Sequence, residues 1–292
     1  MSNPEIVEQE IAKEKIVIQA RDLTLYHPRG VAFAGIDLAI PAGAVVGLVG
    51  RNGAGKSSLL QCLVGLREPD RGSASLFGCP SLQLSDAVRE RLGYVAQSAD
   101  VFEWMTAYDH LCEIGKAYAR WDEHRCMQLA LRMNLPMTTP VGKLSGGDQQ
   151  KLSFVLALAH DPDLLILDEP VSNLDPISRR EFMLAMFGDL RSEQAAERER
   201  TVLISSHLLS DLERVVSHLA FLRDGHLQAF DSWDAMLEFY RQVPDTDEID
   251  PSAIISRHPK NQTCIIDTRL QPELAVHGKA LMLDELFLEL NA

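Results

Sequence analysis

The apolar positions of this chain change their period several times, and each change marks an element. Ile16 to Leu25, IVIQARDLTL, is rich in β-branched and aliphatic side chains and predicts a strand. A second strand with partial alternation is predicted over 33–40, FAGIDLAI, closed by the turn Pro41-Ala42-Gly43. The next run, AVVGLVG at 44–50, is apolar without a break, as expected of a strand covered on both faces of a sheet. Gly and Lys then interrupt it, and KSSLLQCLVGL follows with helical apolar spacing. DLLILDEP at 163–170 and TVLISSH at 201–207 return to the buried-strand pattern.

Between Ser98 and Lys143 the texture is helical. Thr106 and Asp109 form a capping box, and WDEHRCMQLALRMNL has helical periodicity closed by Pro136. Strands alternating with helices predict an α/β core with a helical insertion. Past about Tyr240 the pattern loosens, and QVPDTDEIDPSA reads as an acidic, proline-bearing linker. Beyond it, TCIID predicts a short strand. Leu283, Leu286, Phe287 and Leu290 fall at i, i+3, i+4 and i+7, the apolar stripe of an amphipathic helix.

Composition narrows the classes. At 292 residues and 46% hydrophobic, the chain is long and apolar enough for one large domain, or a domain with an appendage. A net charge of −14 argues against a protein that neutralises nucleic-acid phosphates. The five cysteines are scattered, odd in number and without a CxxC pair, which fits reduced cytosolic thiols better than a disulfide scaffold or zinc site. The polar, acidic start MSNPEIVEQEIAKEK is no signal peptide, and nowhere do eighteen apolar residues run together. A membrane role is therefore expected only through a partner.

The chemistry concentrates in a few places. GRNGAGKSS contains Gly50, Gly55, Lys56 and Ser57 in the order GxxxxGK[ST], between a predicted buried strand and a helix. Its glycines let backbone N–H groups of Gly50, Arg51, Asn52, Gly53, Ala54 and Gly55 turn onto phosphate oxygens, and Ser58 follows in the same loop. Lys56 is expected to neutralise the β- and γ-phosphates, and Ser57 to ligate Mg²⁺. Asp168 ends an apolar run where a carboxylate reaches Mg²⁺ through water. Glu169, expected on the other side of the strand, is the candidate general base.

Together with LSGGDQQK at 144–151, these motifs resemble the nucleotide-binding subunit of the ATP-binding cassette (ABC) family, over about residues 16–235. The resemblance implies an α/β P-loop NTPase core with a mixed sheet. It implies an ATPase domain over 1–239 with a helical subdomain at about 98–160, and the pattern past Tyr240 adds a small α+β appendage at 240–292. Gln97 in GYVAQ is similar to the family's Mg²⁺- and water-sensing glutamine, and His207 to its switch histidine. Asp175 in SNLD is similar to the D-loop aspartate at a dimer interface. Tyr26, 24 positions before Gly50, is similar to the aromatic on which adenine stacks. The resemblance further implies that Leu144, Ser145, Gly146, Gly147 and Asp148 close over the γ-phosphate held by another copy. ATP would thus join a homodimer, or a dimer with a paralogous cassette. Asp148 stands where the family commonly has glutamine, and Lys151 where it has arginine; a carboxylate there is expected to weaken closure.

With ATP and Mg²⁺ as cofactors, the reading is an ATPase subunit serving a separate transmembrane permease, on the cytoplasmic face of the membrane, with no nucleic-acid partner. The tail LDELFLEL resembles subunits of ABC-2 exporters. The alternative is a soluble family member acting in translation or DNA repair. Such members carry two cassettes or a long coiled coil; here there is one cassette, and fewer than ninety residues separate loop from signature. A small-molecule kinase leaves the signature, Asp175 and His207 unexplained.

Overall fold

The computed structural model describes residues 15–28, 30–98, 101–172, 174–187, 200–207, 212, 215–258 and 261–291. Asn173 of SNLD and the acidic start of the chain lie outside these residues. Strands β1 (Ile16–His27), β2 (Gly30–Pro41), β4 (Arg71–Leu76) and β5 (Cys79–Pro80) form an antiparallel sheet in the order β2-β1-β4-β5. The second sheet has six strands. They are β3 (Val45–Val49), β6 (Leu92–Val95), β7 (Leu164–Asp168), β8 (Thr201–Ser206), β9 (His218–Arg223) and β10 (His226–Ser232), ordered β10-β9-β3-β8-β7-β6. All neighbours run parallel except β10 on β9, so the sheet is mixed.

The uninterrupted apolar runs explain the centre of this sheet. Every residue of β7 and β8 is buried, because helices cover both faces of a parallel sheet. Register then fixes the site: Val49 lies opposite Ser206, Asp168 opposite Ser205, and Val95 opposite Leu167. The segments that leave β3, β6, β7 and β8 therefore emerge at one edge, the carboxyl edge where open α/β sheets bind ligands.

Helix α1 (Lys56–Leu63) follows the glycine loop and buries Leu59, Leu60 and Leu63. Helices α2 (Ala107–Gly115), α3 (Glu123–Arg132) and α4 (Gly146–Ala159) form the helical region. Thr106 caps α2 by accepting from the Asp109 N–H at 3.1 Å. Asn134 at φ +51 stops α3 before Pro136 can. Phe154 of α4 meets Phe182 of α5 (Pro176–Phe187) at 4.0 Å between centroids.

After α6 (Trp233–Phe239), the structure departs from the expected linker. Tyr240–Pro244 is a strand, β11, and with β12 (Ile254–His258), β13 (Thr263–Asp267) and β14 (Lys279–Ala280) it makes a third sheet, ordered β12-β13-β11-β14. The proline misled: Pro244 ends the strand opposite Thr263, where a missing N–H costs little. Helix α7 (Leu283–Asn291) buries Leu286 and Leu290 in one cluster with Val49, Phe221, Tyr240 and Ile265. The apolar stripe read from the tail thus packs across the six-stranded sheet and the third sheet together.

Candidate functional site

The glycine loop is shaped by its own packing. A side chain on Gly50 would put Cβ 2.2 Å from the Leu222 carbonyl oxygen, and one on Gly55, at φ +103, 2.4 Å from that of Ala32. Gly53 is also left-handed, at φ +85. Ala54 is buried beneath the loop and donates its N–H to the Arg51 carbonyl at 3.1 Å. Lys56 is buried, and its Nζ donates to the carbonyls of Gly50 (2.7 Å) and Arg51 (3.3 Å).

The acidic pair splits at the end of β7. Asp168 is only 1% exposed, and its Oδ1 accepts from the Ser205 hydroxyl at 2.7 Å. That hydroxyl in turn accepts the Glu169 N–H at 2.8 Å. Glu169 does not continue the strand, as alternation predicted. It turns at φ +44, a conformation that costs a non-glycine residue about 1–3 kcal/mol. The turn brings its carboxylate 3.2 Å from Lys56 Nζ and 2.8 Å from His207 Nδ1. Ser205 is the residue that sequence reasoning missed; its only signal was a hydroxyl in a buried strand that ends beside the acidic run.

Asn52, Gly53, Gly55, Lys56, Ser57 and Ser58 line a cavity of about 530 Å³, together with Gln97 and Glu169. His27, Gly30, Val31 and Ala32 form the remaining wall. Tyr26, beside that wall, is 54% exposed and anchored by its N–H to Asp70 at 2.7 Å. The donors here are backbone N–H groups, hydroxyls and one ammonium, which suits a polyanion.

A second cavity, of about 420 Å³, is lined by Ser145, Gly146, Gly147 and Asp148 together with Lys151, Leu174, Asp175 and Ser178. No residue lines both. Leu144 is buried under the start of α4. Ser145 caps α4: its Oγ accepts from the Asp148 N–H at 3.1 Å and donates to Asp148 Oδ2 at 2.7 Å. Asp148 Oδ1 pairs with Lys151 Nζ at 3.2 Å. Asp175 caps α5 through the N–H groups of Ile177 and Ser178, and the Ser178 hydroxyl and N–H hold its carboxyl below the usual range. Gly146 differs from Gly50 and Gly55, since a Cβ there would meet no atom of the described residues within 4 Å, and from Gly53, since its backbone is not left-handed.

Comparison with known proteins decides the family. A family model described as ABC transporter matches residues 33–172, and an overlapping one, described as "AAA domain, putative AbiEii toxin, Type IV TA system", matches 138–210. The bacitracin transport ATP-binding protein BcrA of Bacillus licheniformis is 32% identical over 72% of this chain and 68% of its own length. The chain belongs to the ABC transporter family. It is an ATPase, the ATP-binding subunit of such a transporter. The Nod factor export ATP-binding protein I of Burkholderia lata is 34% identical over 70% of the cassette chain and 67% of its own. A dimeric ATP-binding cassette, MJ0796, bound to ADP and Pi after hydrolysis, shares the fold with a TM-score of 0.64 at 22% identity. That match covers 74% of this chain and 98% of that one. Among the described residues of this cassette, no helix is long and apolar enough to cross a membrane.

Proposed function

We propose that each copy holds ATP in the 530 Å³ cavity and that its γ-phosphate is covered by the Ser145–Asp148 segment of a second copy, so that two chains share two sites. One observation carries this reading: among the described residues, the cavity at the glycine loop and the cavity at the start of α4 share no lining residue, and Gly146 has open space above it. Gly146 has no left-handed φ and no close contact, so nothing within the described chain requires glycine there. A backbone that another molecule must approach does. The dimeric state of the MJ0796 cassette is consistent with this reading.

Nucleotide phosphates entering the cavity compete with Gly50, Arg51 and Glu169 for Lys56. As the ammonium turns to the phosphates, Glu169 is released from it, keeps His207 within hydrogen-bond reach, and can take the proton of an attacking water. Mg²⁺ suits the donors present, because Ser57, Gln97 and Glu169 offer oxygen atoms in the cavity lining. Ser57 and Gln97 would hold it, with Asp168 reaching it through water, and it would neutralise charge on the phosphates. Asp175 lines the second cavity beside the signature, a place suited to the dimer seam. Tyr26 would stack on adenine at the cavity mouth.

The export and transport names of the relatives support an exporter, with a separate membrane-spanning permease and a peripheral position on the cytoplasmic face. We divide the chain into an ATPase domain, 1–239, and an appendage, 240–292. Complementation tests the shared site. A Lys56→Ala chain and a Ser145→Phe chain, each inactive alone, should regain hydrolysis when mixed, since the mixed dimer has one intact composite site. A mixture as inactive as its parts overturns the proposal.

A further inference from the structure

The wall of the ATP cavity at the end of β1 carries a hydrogen-bond chain that the catalytic machinery above does not use. β1 ends at His27, whose ring Nε2 lies 3.2 Å from the Ser58 hydroxyl in the first turn of α1. Both His27 and Ser58 face the cavity. On the other side of the ring, Arg67 Nη2 stands 2.9 Å from His27 Nδ1. Arg67 reaches this place because the chain after α1 turns back at Gly65, φ +76, where a Cβ would lie 1.9 Å from the Ser81 carbonyl oxygen. Three residues after Arg67, Asp70 accepts the N–H of Tyr26, so one short segment clamps both Tyr26 and His27.

The direction of the chain follows from chemistry. A guanidinium has donors and no acceptor, so Nδ1 of His27 must be the accepting nitrogen. A neutral imidazole carries one ring proton, and that proton is then on Nε2. Nε2–H donates to the Ser58 oxygen, which leaves the hydroxyl's own hydrogen unspent on the histidine side. We propose that His27, oriented by Arg67, is a nucleotide-positioning residue that fixes the Ser58 hydroxyl as a donor to a phosphate oxygen. The relay also carries the polarising influence of Arg67 toward the cavity without placing a second cation in it. This rests on the reading of the cavity as the ATP site, and deepens it.

The test is ATP binding by calorimetry and steady-state hydrolysis on the full chain. Losing an aligned donor to a charged oxygen is expected to raise Kd and KM about tenfold in His27→Ala, with kcat changed less than about twofold. Ser58→Ala should lose about as much, and the double variant no more than Ser58→Ala alone. His27→Gln should recover most of the affinity, because its amide can accept from Arg67 and donate to Ser58. Arg67→Met, which leaves the ring in place but no longer fixes its tautomer, should weaken ATP about threefold. Unchanged affinity in His27→Ala overturns the proposal. So does an equal loss with and without Ser58, which marks His27 as a mere prop of the strand end. If His27→Ala melts early, the glutamine and methionine variants carry the same decision. Should Lys56→Ala bind ATP as well as the parent chain, the cavity assignment itself has failed, a result separable from failure of the relay.

Discussion

Lys56 and Glu169 neutralise each other across 3.2 Å in a buried setting, and that pairing sets the terms on which nucleotide enters. In the site proposed above, phosphates would compete with this carboxylate for the lysine and would free it for its proposed role as base. Glu169→Gln keeps the shape and removes the competing charge. ATP turnover should fall by about 10²–10⁴, the range for losing a general base. ATP affinity should rise at the same time, measured by equilibrium binding. A turnover loss under tenfold, or weakened binding, removes Glu169 from this role. Sequence made both carboxylates and the lysine visible as types in order. It missed how Glu169 faces the cavity, because a left-handed turn, held by the Ser205 hydroxyl, replaces strand alternation there.

At the scale of elements, the start of α4 answers the doubt raised by Asp148. The carboxylate is held by the Ser145 hydroxyl and by Lys151, one turn on, so in the proposed shared site it would meet a phosphate already paired. The two departures from the common pattern thus pair with each other. Lys151→Met should expose the charge and weaken ATP-dependent dimerisation, read by sedimentation in the Glu169→Gln background, and adding Asp148→Gln should restore it. If Lys151→Met dimerises as tightly as its parent, the pairing has no such effect. The end of α4 carries a different sensitivity. His160 is fully buried, stacks on Tyr118 at 4.4 Å, and has Nε2 3.1 Å from the Leu92 carbonyl of β6. Burial holds its pKa below the ordinary 6.5, and burial does the same to His110 on α2. The unfolded chain then binds more protons, so this part of stability is complete above about pH 6.5 and falls as pH drops below it. Melting temperature should decline from pH 7 to 5.5, and less steeply in His160→Phe, which keeps a stacked ring without a titrating nitrogen.

For the whole molecule, the third sheet is joined to the ATPase core by apolar packing and by Arg269. The guanidinium pairs with Asp231 of β10 and Asp267 of β13, and lies 5.2 Å over the Phe239 ring. Arg269→Met leaves two largely buried carboxylates facing one another. The expected cost is about 1–3 kcal/mol, kept below that of a fully buried pair because the arginine is 41% exposed. It should appear as a lower urea midpoint; an unchanged midpoint means that the apolar seam holds the appendage alone.

Much of this architecture was legible along the chain. Buried strands announce themselves as unbroken apolar runs, a phosphate loop as glycines at fixed spacing before a helix, and the tail helix as a stripe, because each depends on neighbours within a few residues. The antiparallel sheet was half seen, as β1 and β2 without β4 and β5. The end of β11, 242–244, falls in the stretch whose composition reads as a linker, since its pairing with Thr263–Asp267 is invisible to local composition. Sequence alone determined which chemical groups the protein owns and the order in which they occur. Tertiary structure decided which of them meet: strand register set Ser205 under Asp168, a turn aimed Glu169 at Lys56, and a loop far from β1 brought Arg67 to His27. Contacts between positions distant in sequence are fixed by packing and register, and no local period encodes them.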